Sequence, residues 1–328
     1  MTVVREADAP PAPLPRPAGG SARPGRGGGR GPVGSGVWPY LLIAPAILGM
    51  LYLLAYPLVR TVLISLQDFQ LRQLIQGDAR FVGLRNYETL LTDAQFWQVV
   101  RRTFLFMAVN VGLIMLLATL VALVIERLGR VGRIAVLSAL VLTWAMPVIA
   151  ATTVFQWLFH SEFGIVNWAL QQLGFTSFDR YPWFAHGTAA FTILVVLIVW
   201  QSVPFAAITL YSALVTVPTE LYESARIDGA SARRIFRAIT FPVIRPIFML
   251  VFSLEVIWTF KAFVQIWVMT NGGPGDATTI LPVYAVQAAL SSQRYDLGSA
   301  ASMVTVLMLA GVLVFYFRQM FRQEGESL

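Results

Sequence analysis

The chain has 328 residues, of which 57% are apolar and 12% charged, with a mean hydropathy of +0.67 and a formal net charge of +7. A soluble globular domain carries about 25% charged residues, so this composition indicates an integral membrane protein. The absence of Cys excludes disulfide frameworks, thiolate zinc sites and Cys nucleophiles.

The basic residues argue against two further classes of protein. They comprise 23 Arg and a single lysine, Lys261, which follows Phe260 and not the glycine that a phosphate-binding P-loop requires. ATP hydrolysis by this chain is therefore not expected. The arginines are scattered between apolar blocks, which does not favour a nucleic-acid interface. His160 and His186 lie near the predicted outer ends of spans, and nothing in the sequence indicates a metal site.

Residues 1–36 differ in composition from the rest of the chain. They contain nine Gly, seven Pro and five Arg with almost no large apolar residues, which predicts a disordered tail. The first apolar run begins only at Val37, so we do not expect a cleavable signal peptide.

The remaining chain contains six apolar runs near the length of about 20 residues that a helix needs to cross a bilayer. Their continuity excludes the alternating strands of a β-barrel and predicts an all-α polytopic fold. The predicted spans cover about 39–59, 103–125, 134–158, 188–212, 247–270 and 298–317. The run from Ile280 to Leu290 is too short to span, so we expect a helix at the membrane surface or packed against the bundle.

The distribution of arginine predicts the orientation of these spans. The loops at 126–133, 213–246 and 318–328 contain ten Arg in 53 residues, whereas the other three loops contain eight in 99. Because arginine-rich loops remain on the cytoplasmic side, we expect both termini and the 213–246 loop to be cytoplasmic.

The loop between the fourth and fifth predicted spans divides at Gly229. Pro218 and Thr219 suit a helix start, and Glu220 and Glu223 follow in the first turns, where negative charge complements the helix dipole. A second amphipathic helix should follow Gly229 and end at Pro242 and Pro246. The pattern fits a docking surface for a soluble partner or an ordinary interfacial hairpin.

This loop resembles the signature of the permease subunits of binding-protein-dependent ABC importers, which is Glu-Ala-Ala, three residues, Gly, nine residues and Ile-x-Leu-Pro. The sequence departs from it mildly at Ser224 and Phe241, and residues 228–231 are also typical of the family. The matching residues are Glu223, Ala225, Gly229, Ile239 and Pro242.

Further motifs resemble the first permease of carbohydrate importers of the maltose and glycerol-phosphate type. Phe81–Tyr87 is similar to the first outer loop of these permeases, Phe163–Trp168 to the segment after the third span, and Thr270–Pro274 to the end of the fifth. The resemblance implies a permease domain over residues 37–322, followed by a cytoplasmic end at 323–328. The large inserted outer domain of the longest relatives is absent.

The resemblance implies half of an import pathway without an enzymatic activity or bound cofactor of its own. A partner ATPase dimer would bind ATP and Mg²⁺, a second homologous permease would complete the pathway, and an extracytoplasmic binding protein would deliver the solute. The chain would reside in the inner membrane. The residues implied to couple to the ATPase are Glu223, Ser224, Ala225, Asp228, Gly229, Ile239 and Pro242.

Polar residues inside the spans mark a candidate substrate path, because such residues usually face a bundle interior or an aqueous cavity. Glu255 and Thr259 share one helical face, whereas Lys261 lies on another. By the resemblance, Gln201, Ser202 and Phe205 contribute from the fourth span. These groups suit a sugar, but Glu255 could equally pair with the partner permease, and Gln201 could bond across helices. Lys261 is favoured to reach a loop or the partner subunit through its flexible stem.

Two other functions fit the sequence less well than an importer permease. An ion-coupled secondary transporter or channel should show inverted repeats or chains of acidic residues in the membrane, and would not need the Glu-x-Ala…Gly loop. An intramembrane enzyme is disfavoured because the spans offer no paired His, no Cys and no clustered carboxylates.

Overall fold

A computed structural model describes residues 38–325 of the chain. The predicted tail at 1–36 and the last three residues lie outside the described residues. The chain divides into two units, residues 1–55 and 56–328. The described part of the first unit consists of helix α1 (Trp38–Met50) and the π-helical turn Leu51–Ala55.

The second unit is also helical. Its α-helices are α2 (Tyr56–Ser65), α3 (Leu71–Gln76), α4 (Arg85–Thr92), α5 (Ala94–Arg127), α6 (Arg130–Trp144), α7 (Val148–Leu158), α8 (Ile165–Gln172), α9 (Gly187–Leu214), α10 (Thr219–Ile227), α11 (Ala232–Ile235), α12 (Phe241–Phe260), α13 (Val264–Thr270), α14 (Leu281–Val286) and α15 (Tyr295–Gly325). Short 3₁₀ helices occupy Thr176–Phe178 and Trp183–Ala185, and π-helical turns occupy Phe236–Thr240 and Gln287–Ser291. Strands β1 (Gln67–Asp68) and β2 (Arg80–Phe81) pair antiparallel, with Gln67 opposite Phe81.

Within the described residues, five helical stretches are long and apolar enough to cross a membrane, and a bent pair of helices brings the number to six if it forms one span. The stretches are Tyr40–Ser65, Ala94–Arg127, Gly187–Leu214, Ala232–Thr270 and Tyr295–Arg318. An all-α fold is the expected outcome, because only helices satisfy their own backbone hydrogen bonds in hydrocarbon without closing into a barrel.

The third span differs from the continuous helix predicted over 134–158. Helices α6 and α7 are separated at Ala145–Pro147 and are bent by 96° relative to each other. Proline cannot donate a backbone hydrogen bond and clashes with the preceding turn, so Pro147 ends one helix and begins the next. The predicted apolar run over 134–158 thus corresponds to a bent pair of helices.

The fifth span also departs from the prediction, because Pro242 and Pro246 do not end the helix before it. The helical stretch is continuous from Ala232 through the π-helical turn Phe236–Thr240 into α12. Pro242 lies in the first turn of α12, directly after the π-turn, and Pro246 is accommodated inside the helix. Such prolines are tolerated in membrane helices, where local π adjustments satisfy the freed backbone groups.

The core lies where α5 and α9 pack together. Ala118 and Ala122 on α5 and Ala206 and Ala207 on α9 are fully buried in one cluster. Small residues allow two helix backbones to approach closely. The predicted short apolar helix at 280–290 is observed as α14 with its π-turn, and its buried Leu281 and Ala285 pack in a second cluster with Phe260 and Ala300.

Contacts between loops define the end of the molecule opposite the 213–246 loop. Asn86, from the Phe81–Tyr87 motif, donates to the carbonyls of Ser65 and Gln67, which fixes the hairpin of β1 and β2 on the end of α2. Arg102 Nη1 donates to the carbonyl of Thr279, 2.9 Å away. The 60–102 and 271–297 loops therefore share one end of the bundle.

Candidate functional site

The loop between α9 and α12 forms an exposed helical turn at one end of the bundle. Helix α10 ends in a left-handed glycine, Gly229, with φ of 73°. The Gly229 N–H donates to Arg226 O, and the Ala230 N–H donates to Ala225 O. These two bonds form a Schellman motif, which requires the left-handed conformation that glycine adopts without strain.

The next helix starts immediately after this turn. Ser231 caps it, because its hydroxyl accepts a hydrogen bond from the Arg234 N–H at 3.4 Å. Two consecutive caps hold α10 at a defined angle to the helix that continues into the fifth span. The signature glycine thus has a direct structural role.

The predicted coupling residues are separated by the structure into two groups. Glu223, Ser224, Asp228 and Gly229 are exposed on or beside α10, and Ala225 is half-buried. Ile239 and Pro242 belong instead to the base of the fifth span, where Ile239 packs against the core. The two parts of the signature therefore occupy different surfaces.

Two residues of this loop were not predicted from the sequence. Ile227, at the end of α10, is 86% exposed, so the tip of the loop presents an apolar side chain. The Tyr222 hydroxyl lies 3.2 Å from the Thr240 hydroxyl and links α10 to the fifth span. The available signal for Ile227 was an apolar residue between the charged residues Arg226 and Asp228, directly before the helix-ending glycine.

Inside the membrane region, Glu255 and Thr259 share a fully buried face of α12. Both Glu255 carboxyl oxygens and the Thr259 hydroxyl are buried, and within residues 38–325 none has a hydrogen-bond partner. Ser202 on α9 lies near the carboxyl, at a geometry that does not complete a hydrogen bond. Glu255 is therefore enclosed between the fourth and fifth spans and does not reach an open surface of the chain.

The other predicted path residues lie on more accessible positions. Gln201, Ser202 and Phe205 are half-buried on α9, and Gln201 Oε1 accepts a weak 3.4 Å hydrogen bond from Gln265 on α13. Lys261 is exposed directly after the end of α12. The fifth span is interrupted there, between α12 and α13.

Phe205 belongs to an aromatic trio that the sequence did not reveal. Its ring stacks on Trp144 at 5.9 Å between centroids and meets Trp258 edge-on at 5.1 Å. Trp144 is 52% exposed and Trp258 36% exposed. Trp144 is the last residue of α6 and Trp258 is close to the end of α12, so the trio lies beside the breaks in the third and fifth spans.

The trio provides apolar ring faces, with the Gln201 and Gln265 amides and the Lys261 ammonium on the neighbouring elements. The aromatic rings can pack against the ring of a ligand, and the amides and the ammonium can form hydrogen bonds with its hydroxyl groups. In the described part of the chain, no group of three or more Asp, Glu or His is arranged to hold a metal ion.

Residues 114–324 match the family of binding-protein-dependent transport system inner membrane components. The chain is 46% identical over 290 residues to the diacetylchitobiose uptake system permease protein DasB of Streptomyces coelicolor, covering 88% of each chain. It is 33% identical to the trehalose/maltose transport system permease protein MalF of Thermococcus litoralis, covering 85% of this chain and 92% of that one.

The fold matches a crystal structure of a bacterial ABC transporter that imports the acidic polysaccharide alginate, with a TM-score of 0.74. The sequences are 20% identical, and the match covers 87% of this chain and 96% of that chain. A second structure of an alginate ABC transporter, in complex with a periplasmic protein that carries an alginate pentasaccharide, matches with a TM-score of 0.71.

The chain belongs to the family of inner membrane components of binding-protein-dependent transport systems. It is a membrane-spanning permease subunit of an ABC importer, a transport protein and not an enzyme. The predicted family, the all-α polytopic fold and the importer function are thereby confirmed. The alternative of a self-sufficient ion-coupled transporter receives no support from these relatives.

Proposed function

We propose that this permease imports a saccharide of about disaccharide size. The observation that carries the proposal is the aromatic trio Trp144, Phe205 and Trp258 beside the interrupted spans. Sugar rings present C–H faces that pack on aromatic rings, while their hydroxyls need hydrogen-bond partners, here Gln201 and Lys261. The relatives named for diacetylchitobiose and for trehalose and maltose support the same class of solute.

In this proposal Glu255 and Thr259 lie behind the trio, and the solute contacts the trio before it can contact them. Their buried oxygens, with Ser202 near the carboxyl, form a polar layer between the fourth and fifth spans. Buried polar groups without partners are expensive in a membrane and are typical of functional positions. Movement of α12 relative to α9 would expose them to the path.

We further propose that the 213–246 loop faces the cytoplasm, with both chain termini on the same side, and that it docks on an ATPase. The residues that would contact the ATPase are Glu223, Ser224, Asp228 and Gly229, joined by the exposed side chain of Ile227. Ile239 and Pro242 would transmit movement at the base of the fifth span. ATP and Mg²⁺ would be held by the ATPase, and this chain would bind no cofactor.

The complete importer would contain a second permease, two ATPase subunits and an extracytoplasmic binding protein. Purification of the tagged chain from its native membrane in a mild detergent, with mass spectrometry of the bound polypeptides, tests this composition. We expect a second permease and a P-loop ATPase in comparable amounts. Recovery of the chain alone, in a detergent that preserves such complexes, would contradict the proposal.

The substrate path is tested by replacing Trp258 with Ala. We expect transport efficiency for the imported saccharide to fall about fivefold to tenfold, because a lost aromatic contact of this kind is worth about 1–1.4 kcal/mol. The measurement is uptake of radiolabelled diacetylchitobiose, maltose and trehalose into proteoliposomes with the binding protein present.

The matched control is Trp97→Ala, which removes an exposed tryptophan at the start of α5, remote in sequence from the trio. Wild-type uptake by the control and weakened uptake by Trp258→Ala support the path. Equal uptake by both variants would show that the trio is not part of the substrate path. Failure of the wild-type complex to import any saccharide would overturn the saccharide class itself.

A further inference from the structure

The loop between α7 and α9 contains a cleft of about 580 Å³ that is separate from the aromatic trio. It lies beyond the end of α7, in the segment that includes α8. Ligand pockets for small molecules have volumes of about 300–1,000 Å³ with a few convergent polar groups. The side chains that give this cleft its chemistry are Glu162, Phe163, Trp168, Gln171, Asp179 and Arg180.

The cleft is held in shape by Asn167, a buried residue of the Phe163–Trp168 motif. Its amide nitrogen donates to the carbonyls of Ser161 and Tyr181, and its amide oxygen accepts from the indole N–H of Trp183. One side chain thus joins three separate parts of the loop. The site is therefore largely formed before any ligand arrives.

Gly164 restricts the loop further. A Cβ atom at this position would lie 2.3 Å from the carbonyl oxygen of His160, which is closer than any side chain tolerates. Only glycine fits this close to the His160 backbone at the start of α8, the helix that carries Trp168 and Gln171. The Phe163–Trp168 motif therefore builds the wall of the cleft.

The aromatic side chains of the cleft are exposed. Trp168 is 61% exposed, and among the described residues its ring makes no aromatic contact. Phe163 is 63% exposed, and one face of its ring is covered by His160 at 3.6 Å. Trp168 therefore offers a ring face for a ligand, supported by a second aromatic side chain.

The charged side chains of the cleft are two carboxylates and one guanidinium, which give a net charge of −1. Glu162 and Asp179 carry carboxylates and Arg180 a guanidinium, while Gln171 Nε2 donates to Asp179 Oδ1 at 3.1 Å. No ion pair or side-chain hydrogen bond within residues 38–325 occupies the Glu162 carboxylate or the Arg180 guanidinium. Both remain available to a ligand with several hydroxyl groups and little net charge.

We infer that this cleft is a second saccharide-binding site, which holds the solute at the mouth of the permease before it reaches the aromatic trio. An open tryptophan face beside carboxylate, guanidinium and amide groups matches the apolar ring faces and the hydroxyl groups of a sugar. The inference rests on the proposed saccharide specificity and adds a separate site to it.

The test uses the permease and ATPase complex in lipid nanodiscs without the binding protein. Equilibrium dialysis with the radiolabelled saccharide that the uptake assay identifies, starting with diacetylchitobiose, measures binding. All variants carry Trp258→Ala, which removes one ring of the trio and so weakens binding there. We expect Trp168→Ala to weaken the remaining binding about tenfold, Glu162→Gln to weaken it less, and Trp168→Phe to restore most of it.

Phe81→Ala serves as the matched control, because Phe81 is an exposed aromatic residue of the same end of the bundle outside the cleft. It should bind saccharide like its parent. Size-exclusion chromatography verifies that each variant complex is assembled.

Three results would overturn the inference while leaving the saccharide importer intact. The first is unchanged binding in both Trp168→Ala and Glu162→Gln. The second is the absence of binding to a complex that imports the same saccharide. The third is a Trp168→Ala variant that binds saccharide normally but, in a separate measurement with the loaded binding protein added, loses affinity for that protein, since the cleft would then be a protein-docking surface. Loss of uptake for all saccharides in the wild-type complex would instead refute the proposed function.

Discussion

Replacing Gly229 with Asp is expected to reduce solute uptake to background while the protein still inserts and assembles. The left-handed backbone at φ of 73° costs a non-glycine residue about 1 kcal/mol, and Asp tolerates it better than most residues. No atom lies within 4 Å of a Cβ built at this position, so the side chain enters open space. The effect should therefore fall on the docking surface and not on folding.

Uptake and ATP hydrolysis in proteoliposomes measure this outcome, and Gly229→Asn is the matched control. Asn adopts the left-handed conformation as readily as Asp but adds no charge. If only Gly229→Asp loses uptake, the effect is due to the added charge at the ATPase interface. If both variants lose uptake, the effect is due to the size of the side chain there. Normal uptake by Gly229→Asp would refute the coupling role of the α10 turn.

Replacing Glu255 with Met should raise the thermal stability of the complex and lower its uptake of solute. Two carboxyl oxygens without hydrogen-bond partners lower stability by about 1–3 kcal/mol, and Met fills the same length with an apolar chain. We expect the thermal unfolding midpoint of the complex to rise by about 2–4 °C. We expect uptake to fall, because the polar layer behind the trio is lost.

Thermal unfolding in detergent and uptake of the same preparation provide both readouts, and Glu88→Met on the exposed surface of α4 is the control for loss of a carboxylate. A lower unfolding midpoint, with release of the second permease, would contradict the enclosed position of Glu255 and indicate that its carboxyl stabilises the contact with that subunit. An unchanged uptake profile would leave Glu255 without a role in transport.

The sequence predicted the parts of this structure that depend on local composition. Apolar runs located the spans because the bilayer sets a minimum length, and the spacing around Gly229 located a turn that is now seen to have two matched caps. Hydropathy does not report the direction of a helix, so the 96° bend at Ala145–Pro147 was missed inside one apolar run, although Pro147 was an available signal for it. The prolines at 242 and 246 suggested a stop because propensity rules for water ignore what a membrane helix tolerates.

The candidate site was predicted only in part, for a related reason. Glu255 and Lys261 were predicted as path residues because charged residues are rare in a span. In the structure Glu255 is buried between two spans, whereas Lys261 is exposed at the break between α12 and α13. The trio joins Trp144, Phe205 and Trp258, which are more than 50 residues apart from one another in the chain. Such proximity arises from helix packing, and no spacing rule within a single helix can reveal it.

The uninterrupted helical stretch from Ala232 to Phe260 connects the capped turn at Gly229 with the aromatic trio. Its 29 residues correspond to a rod of about 43 Å at 1.5 Å per residue. Rotation of such a rod by about 5° around its loop end displaces the far end by about 4 Å, which is comparable to the thickness of an aromatic ring. In the proposed mechanism the fifth span would act as a lever arm, in which a small angular change at the surface becomes a displacement large enough to open or close the proposed path beside Trp258.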